Sequence, residues 1–172
     1  HASYRRQRQM CIRDRRDAQH KGIKSRFKDT NIILQGGIDD VWFDKKKKEL
    51  IIADYKSQAS KDDVSQNTYF KKPYRRSYQT QLDFYAYVMK GMELEFPISK
   101  DSYLYVVNGL EVDDGFNGKI SFSETLIYHK INTDYLDDKI QKMIDTINST
   151  SIPNSHESCN NCAYTDRRNE IE

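Results

Sequence analysis

The chain has 172 residues, enough for one domain with a real core and too few for two ordinary ones. Its 37% hydrophobic and 31% charged residues, with 12 Tyr and only 3 Pro, exclude a disordered or fibrous protein. The formal net charge is only +2, no apolar run approaches the roughly 20 residues of a membrane span, and no signal peptide is visible. A cytoplasmic protein without a membrane partner is expected. Three cysteines, two of them in Cys159-Asn160-Asn161-Cys162, do not build a disulfide framework and point to a reducing compartment.

Residues 6–15, RQRQMCIRDR, read as the translation of a nucleotide string containing the transposon end of sequencing-library adapters. With no Met at position 1, residues 1–16 are therefore taken as a non-native segment; the other reading is a basic, nucleic-acid-binding arm. The segment's four Arg and one Asp carry +3, so the rest of the chain has +2 minus 3, or about −1. Global basicity then says nothing about a nucleic-acid partner, and Cys11 drops out as a metal ligand.

From Ile23 the chain alternates and is rich in β-formers, which predicts strands over 23–27 and 31–43. Asp44 and the run Lys45 to Lys48 end the second strand as a charged hairpin tip, and 50–55 (LIIADY) begins the next. Residues 56–72 are polar and aperiodic, a loop or short irregular helix. Tyr78, Gln81, Leu82, Tyr85, Val88 and Met89 recur at helical spacing from about Ser77, and Gly91 and Pro97 bracket that helix's end. Strands are predicted at 102–108 and 120–131, separated by turns at Asp113-Asp114-Gly115 and Asn117-Gly118. An amphipathic helix follows at 133–148, with Leu136, Ile140, Met143, Ile144 and Ile147 on one face and Asn132 or Thr133 as its cap. The order is that of an α/β fold with a mixed sheet.

A hairpin symmetric about the Lys46–Lys47 bond places Asp39 opposite Asp54. Cross-strand partners stand roughly 4.5–5.5 Å apart, where two carboxylates repel unless a cation lies between them. Such hard oxygen ligands suit Mg²⁺ or Mn²⁺. The two-residue period puts Lys56 on the face of Asp54, where an ammonium can hold the attacking water or balance charge on a phosphate. Gly36 and Gly37 leave room for another backbone or a substrate strand. A one-residue slip of the turn presents Asp40 instead of Asp39, and by residue type alone such a trio is ordinarily solvated surface.

The order of motifs decides. Gly37-Ile38-Asp39, Asp54-Tyr55-Lys56 and Gln81-Leu82-Asp83-Phe84-Tyr85 together resemble the PD-(D/E)xK nuclease superfamily, in particular RecB-type nuclease domains and CRISPR-associated exonucleases. The resemblance is best over residues 23–92 and extends loosely to Tyr164. It implies a restriction-endonuclease-like core, a mixed central sheet flanked by helices, and a metal-dependent DNA nuclease acting as a RecB-like exonuclease. It also implies Asp39, Asp54 and the Tyr55 carbonyl as ligands of Mg²⁺ (or Mn²⁺), Lys56 as the catalytic lysine, and Gln81 and Tyr85 lining the site or touching DNA. The other reading is a catalytically inactive nucleic-acid-binding module of the same fold.

Two departures shape the expected domain plan. The family's further acidic or histidine ligand comes from an N-terminal helix, so residues 17–152 are expected to be a core lacking that helix, with the ligand upstream; His20 is the only nearby candidate and reads rather as an exposed loop residue. Members with an iron–sulfur cluster use four cysteines, and only Cys159 and Cys162 match, so no cluster is expected. Residues 153–172 are then a tail in which Cys162 and Tyr164 pack against the core, and His156 is a candidate third metal ligand beside the two thiols. Lys71, Lys72, Arg75 and Arg76 precede the Gln81 helix and are candidates for gripping phosphates, with Tyr69, Phe70, Tyr74 and Tyr78 as stacking platforms or ordinary core. DNA is the expected partner, with recombination, repair or phage replication proteins beside it.

Overall fold

Alternating apolar side chains start the chain's first hairpin, β1 (Ile23–Arg26) with β2 (Ile33–Gly36), paired antiparallel from Ile23↔Gly36 to Arg26↔Ile33. The computed structural model describes residues 22–61, 64–110 and 118–170. Residues 1–16, Cys11, His20, Asp113 to Gly115 and Asn117, on which expectations were placed above, lie outside them. The described residues fall into two compact units that divide between Asp134 and Tyr135.

The expected strand over 31–43 is two strands in two sheets. After Gly36 the chain steps through Gly37, buried Ile38 and Asp39, then enters a four-stranded sheet as β3 (Asp40–Asp44). β3 and β4 (Glu49–Ala59) pair antiparallel with Asp40↔Ala53 and Asp44↔Glu49, the symmetry read from the Lys46–Lys47 centre. The tip is organised by Asp44, whose Oδ1 accepts from the N–H groups of Lys46 (2.8 Å) and Lys47 (3.1 Å). These bonds hold its carboxyl below the ordinary range.

β4 runs four residues past the expected end, pairing in parallel with β5 (Ile98–Gly109) through Ala59↔Gly109. Its polar end conceals the strand because its partners are polar too. Gln58 Nε2 donates to Asn108 Oδ1 at 3.1 Å, Asn108 Nδ2 donates to the Ser60 carbonyl at 3.0 Å, and Arg75 Nη2 donates to Gln58 Oε1 at 2.8 Å. Partnered in this way, buried Asn108 and Arg75 and half-buried Gln58 avoid the cost of orphaned polar atoms. β6 (Phe122–Lys130) completes the sheet antiparallel to β5, in the order β3-β4-β5-β6. Gln66, in the short helix α1 (Gln66–Tyr69), exchanges two hydrogen bonds with the Tyr128 backbone and so occupies part of this edge.

A 3₁₀ turn at Pro73–Arg75 leads into α2 (Arg76–Lys90), which buries Leu82, Tyr85, Ala86 and Met89 at helical spacing. Gly91 ends α2 without a left-handed conformation. It is needed because a Cβ there would stand 2.8 Å from Ser25 Cβ, where β1 crosses the helix end. The mixed sheet with α1 and α2 is the α/β arrangement that the sequence resemblance implies. Among the described residues no helix is long and apolar enough to cross a membrane.

In the second unit, α3 (Leu136–Asn148) buries Leu136 and Ile140, whereas Met143 and Ile147 of the same stripe are 60% and 77% exposed. Neither expected cap serves it. The helix starts after Tyr135, while Asn132 turns back, its N–H donating to Asp83 and its Oδ1 accepting from Asp134 N–H. α4 (Asn160–Asn169) gives the tail a regular structure in which Tyr164 is exposed.

Asp83, 3% exposed on α2, accepts from Asn132 N–H at 2.9 Å and stands 2.7 Å from His129 Nε2 of β6. Removing one member of such a buried pair strands the other. Asp83→Ala is expected to lower the unfolding free energy by about 3 kcal/mol, read from urea titration; a loss under about 0.5 kcal/mol, typical of exposed positions, would contradict it.

Candidate active site

Asp39, Asp54, Lys56, Gln81 and Tyr85, drawn from three separate motifs, meet on one side of the sheet. Continuing the β3–β4 register by one residue carries Asp39 to Asp54, and Asp39 Oδ2 accepts the Tyr55 N–H at 3.0 Å. Asp40 is engaged differently, its carboxylate accepting from the Val41 N–H, from Trp42 Nε1 and from the Tyr55 hydroxyl (2.6 Å). The turn register therefore selects Asp39, and Tyr55 is tied to both aspartates.

Asp54 is 1% exposed. Its Oδ1 accepts from Gln81 Nε2 at 3.2 Å, and Lys56 Nζ stands 2.5 Å from its Oδ2. That oxygen is shut away from water, and the Lys56 ammonium is its counter-charge. Burial raises the Asp54 carboxyl above its usual range; Lys56 opposes that and the adjacent Asp39 carboxylate adds to it.

Gln81 organises the group. Its Nε2 also donates to the Tyr85 hydroxyl at 2.7 Å, and its Oε1 accepts from Lys56 Nζ at 3.0 Å. Lys56 Nζ further lies 4.6 Å from the centre of the Tyr78 ring, a cation–π contact one helical turn before Gln81. Tyr78 is a stacking candidate by sequence, and its helical spacing from Gln81 is the signal for its place beside the lysine. Tyr85 is buried against Gly36, where a Cβ would come within 2.9 Å of the ring. Gly36 thus admits a tyrosine, and Gly37 has open space around it. Burial raises the Tyr85 hydroxyl's pKa, so it stays protonated beside the carboxylates.

The basic residues before α2 separate. Lys71 and Arg76 are exposed and Lys72 is half-buried. Arg75 corrects the sequence expectation: it is 7% exposed, bonded to Gln58 and to the Tyr74 hydroxyl, with its guanidinium 4.2 Å from the Tyr69 ring centre. It fastens α2 to the end of β4 and is not presented to a phosphate. Among the aromatic candidates Tyr69 is core, whereas Tyr74 is 58% exposed.

Two facing carboxylates, one of them buried, fit a hard divalent cation that fills its other positions with water or phosphate oxygens. Among the described residues no cluster of three His, Cys, Asp or Glu forms a fuller cage. For the apo protein the sign of the linkage follows from the raised Asp54 pKa: the native state binds this proton more readily than the unfolded state, so Asp54's contribution to stability falls as pH rises through its folded pKa. A cation binding the charged form reverses that cost. Mg²⁺ or Ca²⁺ at a hundredfold excess over Kd is expected to stabilise the protein by about 2.7 kcal/mol at neutral pH, less as pH falls into the carboxylate range, and not in Asp54→Asn. Equal cation-induced Tm shifts in both proteins would contradict this.

Comparison with curated proteins and with solved structures found no match. A family profile described as the PD-(D/E)XK nuclease superfamily matches residues 3–167, almost the full length. Its members generally use divalent metal ions. With motif order, mixed sheet and site geometry in agreement, the chain belongs to the PD-(D/E)XK nuclease superfamily.

Proposed function

We propose that the protein is a divalent-metal-dependent deoxyribonuclease of RecB-like exonuclease type, hydrolysing phosphodiester bonds at Asp39, Asp54 and Lys56. The observation that carries this reading is the buried Asp54 carboxylate with the Asp39 carboxylate and the Lys56 ammonium beside it. Asp39, Asp54 and the Tyr55 carbonyl would hold Mg²⁺ or Mn²⁺. When bound, the ion supplies charge stabilisation on the phosphate and lowers the pKa of water.

The chain's own groups do the rest. Gln81 fixes the Asp54 carboxylate and the Lys56 ammonium through its two amide ends, so neither swings when a phosphate arrives. Lys56, held also by the Tyr78 ring, presents a fixed positive charge to the phosphate as negative charge grows on it. Tyr85 supports Gln81 from below; lining the site is the role its burial favours over contact with DNA. Lys71, Lys72 and Arg76 are assigned to the phosphate backbone and Tyr74 to an unpaired base, contacts that raise affinity without reading sequence.

The absence of a three-ligand cluster among the described residues favours a second reading, a module that binds nucleic acid without cleaving it. End-labelled DNA and RNA incubated with Mg²⁺ or Mn²⁺ separate the two. Cleavage of DNA by the wild type, falling about a hundredfold or more in Asp54→Ala and in Lys56→Ala with unchanged circular dichroism, is the expected result. Equal cleavage in both variants would overturn the assignment of these residues, metal-stimulated binding without cleavage would establish the second reading, and preference for RNA would overturn the DNA assignment.

A further inference from the structure

Cys159 and Cys162 belong to the second unit and are free thiols. Cys159 is the N-cap of α4: its Sγ accepts from the Cys162 N–H at 3.4 Å, the place ordinarily taken by a Ser or Asp oxygen. The Cys159 N–H donates to the His156 carbonyl, and its own carbonyl accepts from Ala163, so the backbone on both sides is fixed. Residues three apart at a helix start bring their Cα atoms within the roughly 4.4–6.8 Å that a disulfide spans.

The thiols are also chemically unequal. The Cys162 N–H, then the Cys162 thiol, hold the Cys159 thiol below its usual pKa, while hydrogen bonding to Cys159 pushes Cys162 up. Both are half-buried and reachable by a small molecule. A metal is not the better explanation. No three-ligand cluster forms among the described residues, and His156 Nδ1 is engaged by Ser158, 3.2 Å from its N–H and 2.9 Å from its hydroxyl.

We propose that Cys159 and Cys162 form a dithiol that undergoes exchange with low-molecular-weight disulfides, with Cys159 attacking and Cys162 resolving. The Cys159 thiolate attacks one sulfur of the disulfide, forming a mixed disulfide and expelling one thiolate. Cys162 loses its proton to water and its sulfur attacks the Cys159 sulfur, closing the Cys159–Cys162 bond and expelling the second thiolate. Two cysteine thiols are oxidised and one external disulfide is reduced to two thiols, a transfer of two electrons. Helix N-termini and the C-x-x-C spacing both favour the thiolate that begins this sequence.

The test uses the full chain carrying Cys11→Ser, incubated with oxidised glutathione and read by mass spectrometry after alkylation. Loss of two hydrogens without a retained glutathione, mapped to Cys159–Cys162, is expected. With Cys162→Ser added, a stable glutathione adduct should form at Cys159, about tenfold faster than at Cys162 in the Cys159→Ser protein. Stable adducts on both cysteines, equal rates in the two single-cysteine proteins, or stoichiometric zinc or iron bound to the untreated chain would each overturn the proposal.

Discussion

A carboxylate at the centre of a sheet, shut away from water beside a second carboxylate, is the constraint around which this domain is arranged. Burial and the Asp39 charge both disfavour the ionised form of Asp54 and raise its pKa above the usual range. The fold meets this with one ammonium and one amide. Lys56 supplies the opposite charge from the same strand, and Gln81 supplies a donor to Asp54 and an acceptor to Lys56 from α2. The Asp39 charge still stands beside Asp54, and that repulsion is what a cation would relieve.

The arrangement works only if α2 stays in register with β4, and α2 is tied at its start and middle to the four-stranded sheet and at its end to β1. Arg75 joins its start to Gln58 of β4 and through Gln58 to Asn108 of β5. Asp83 joins its middle to His129 of β6 and to the Asn132 backbone, and Gly91 lets its end close on β1. Gln81 lies between these ties. The Arg75 and Asp83 ties are buried polar contacts and not greasy ones, which fixes a direction as well as a distance.

Those same polar contacts mark where the sequence was hard to read. The hairpin centre followed from charge and turn pattern, and with it the Asp39, Asp54 and Lys56 geometry; the α2 stripe followed from helical spacing. Gln58 and Asn108 concealed the end of β4, because a buried polar pair and a solvated polar stretch look alike until the partner is known. Arg75 looked like its neighbours Lys72 and Arg76 for the same reason, and only its contacts with Gln58, Tyr69 and Tyr74 show it turned inward. The break at Gly37 was not legible as a change of sheet, since both sides of it alternate as strands do. Asn132 kept the composition of a cap while its backbone and side chain served Asp83 and Asp134.

The central claim is that Asp39 and Asp54 share a divalent cation. Crystals soaked in Mn²⁺ and measured for anomalous scattering test it most directly. The account predicts a strong peak about 2.0–2.3 Å from a carboxylate oxygen of each residue, with Asp54 Oδ2 the ligand on the second. A map with no peak at the site, or with manganese bound elsewhere and Asp54 still paired only to Lys56 and Gln81, would contradict it.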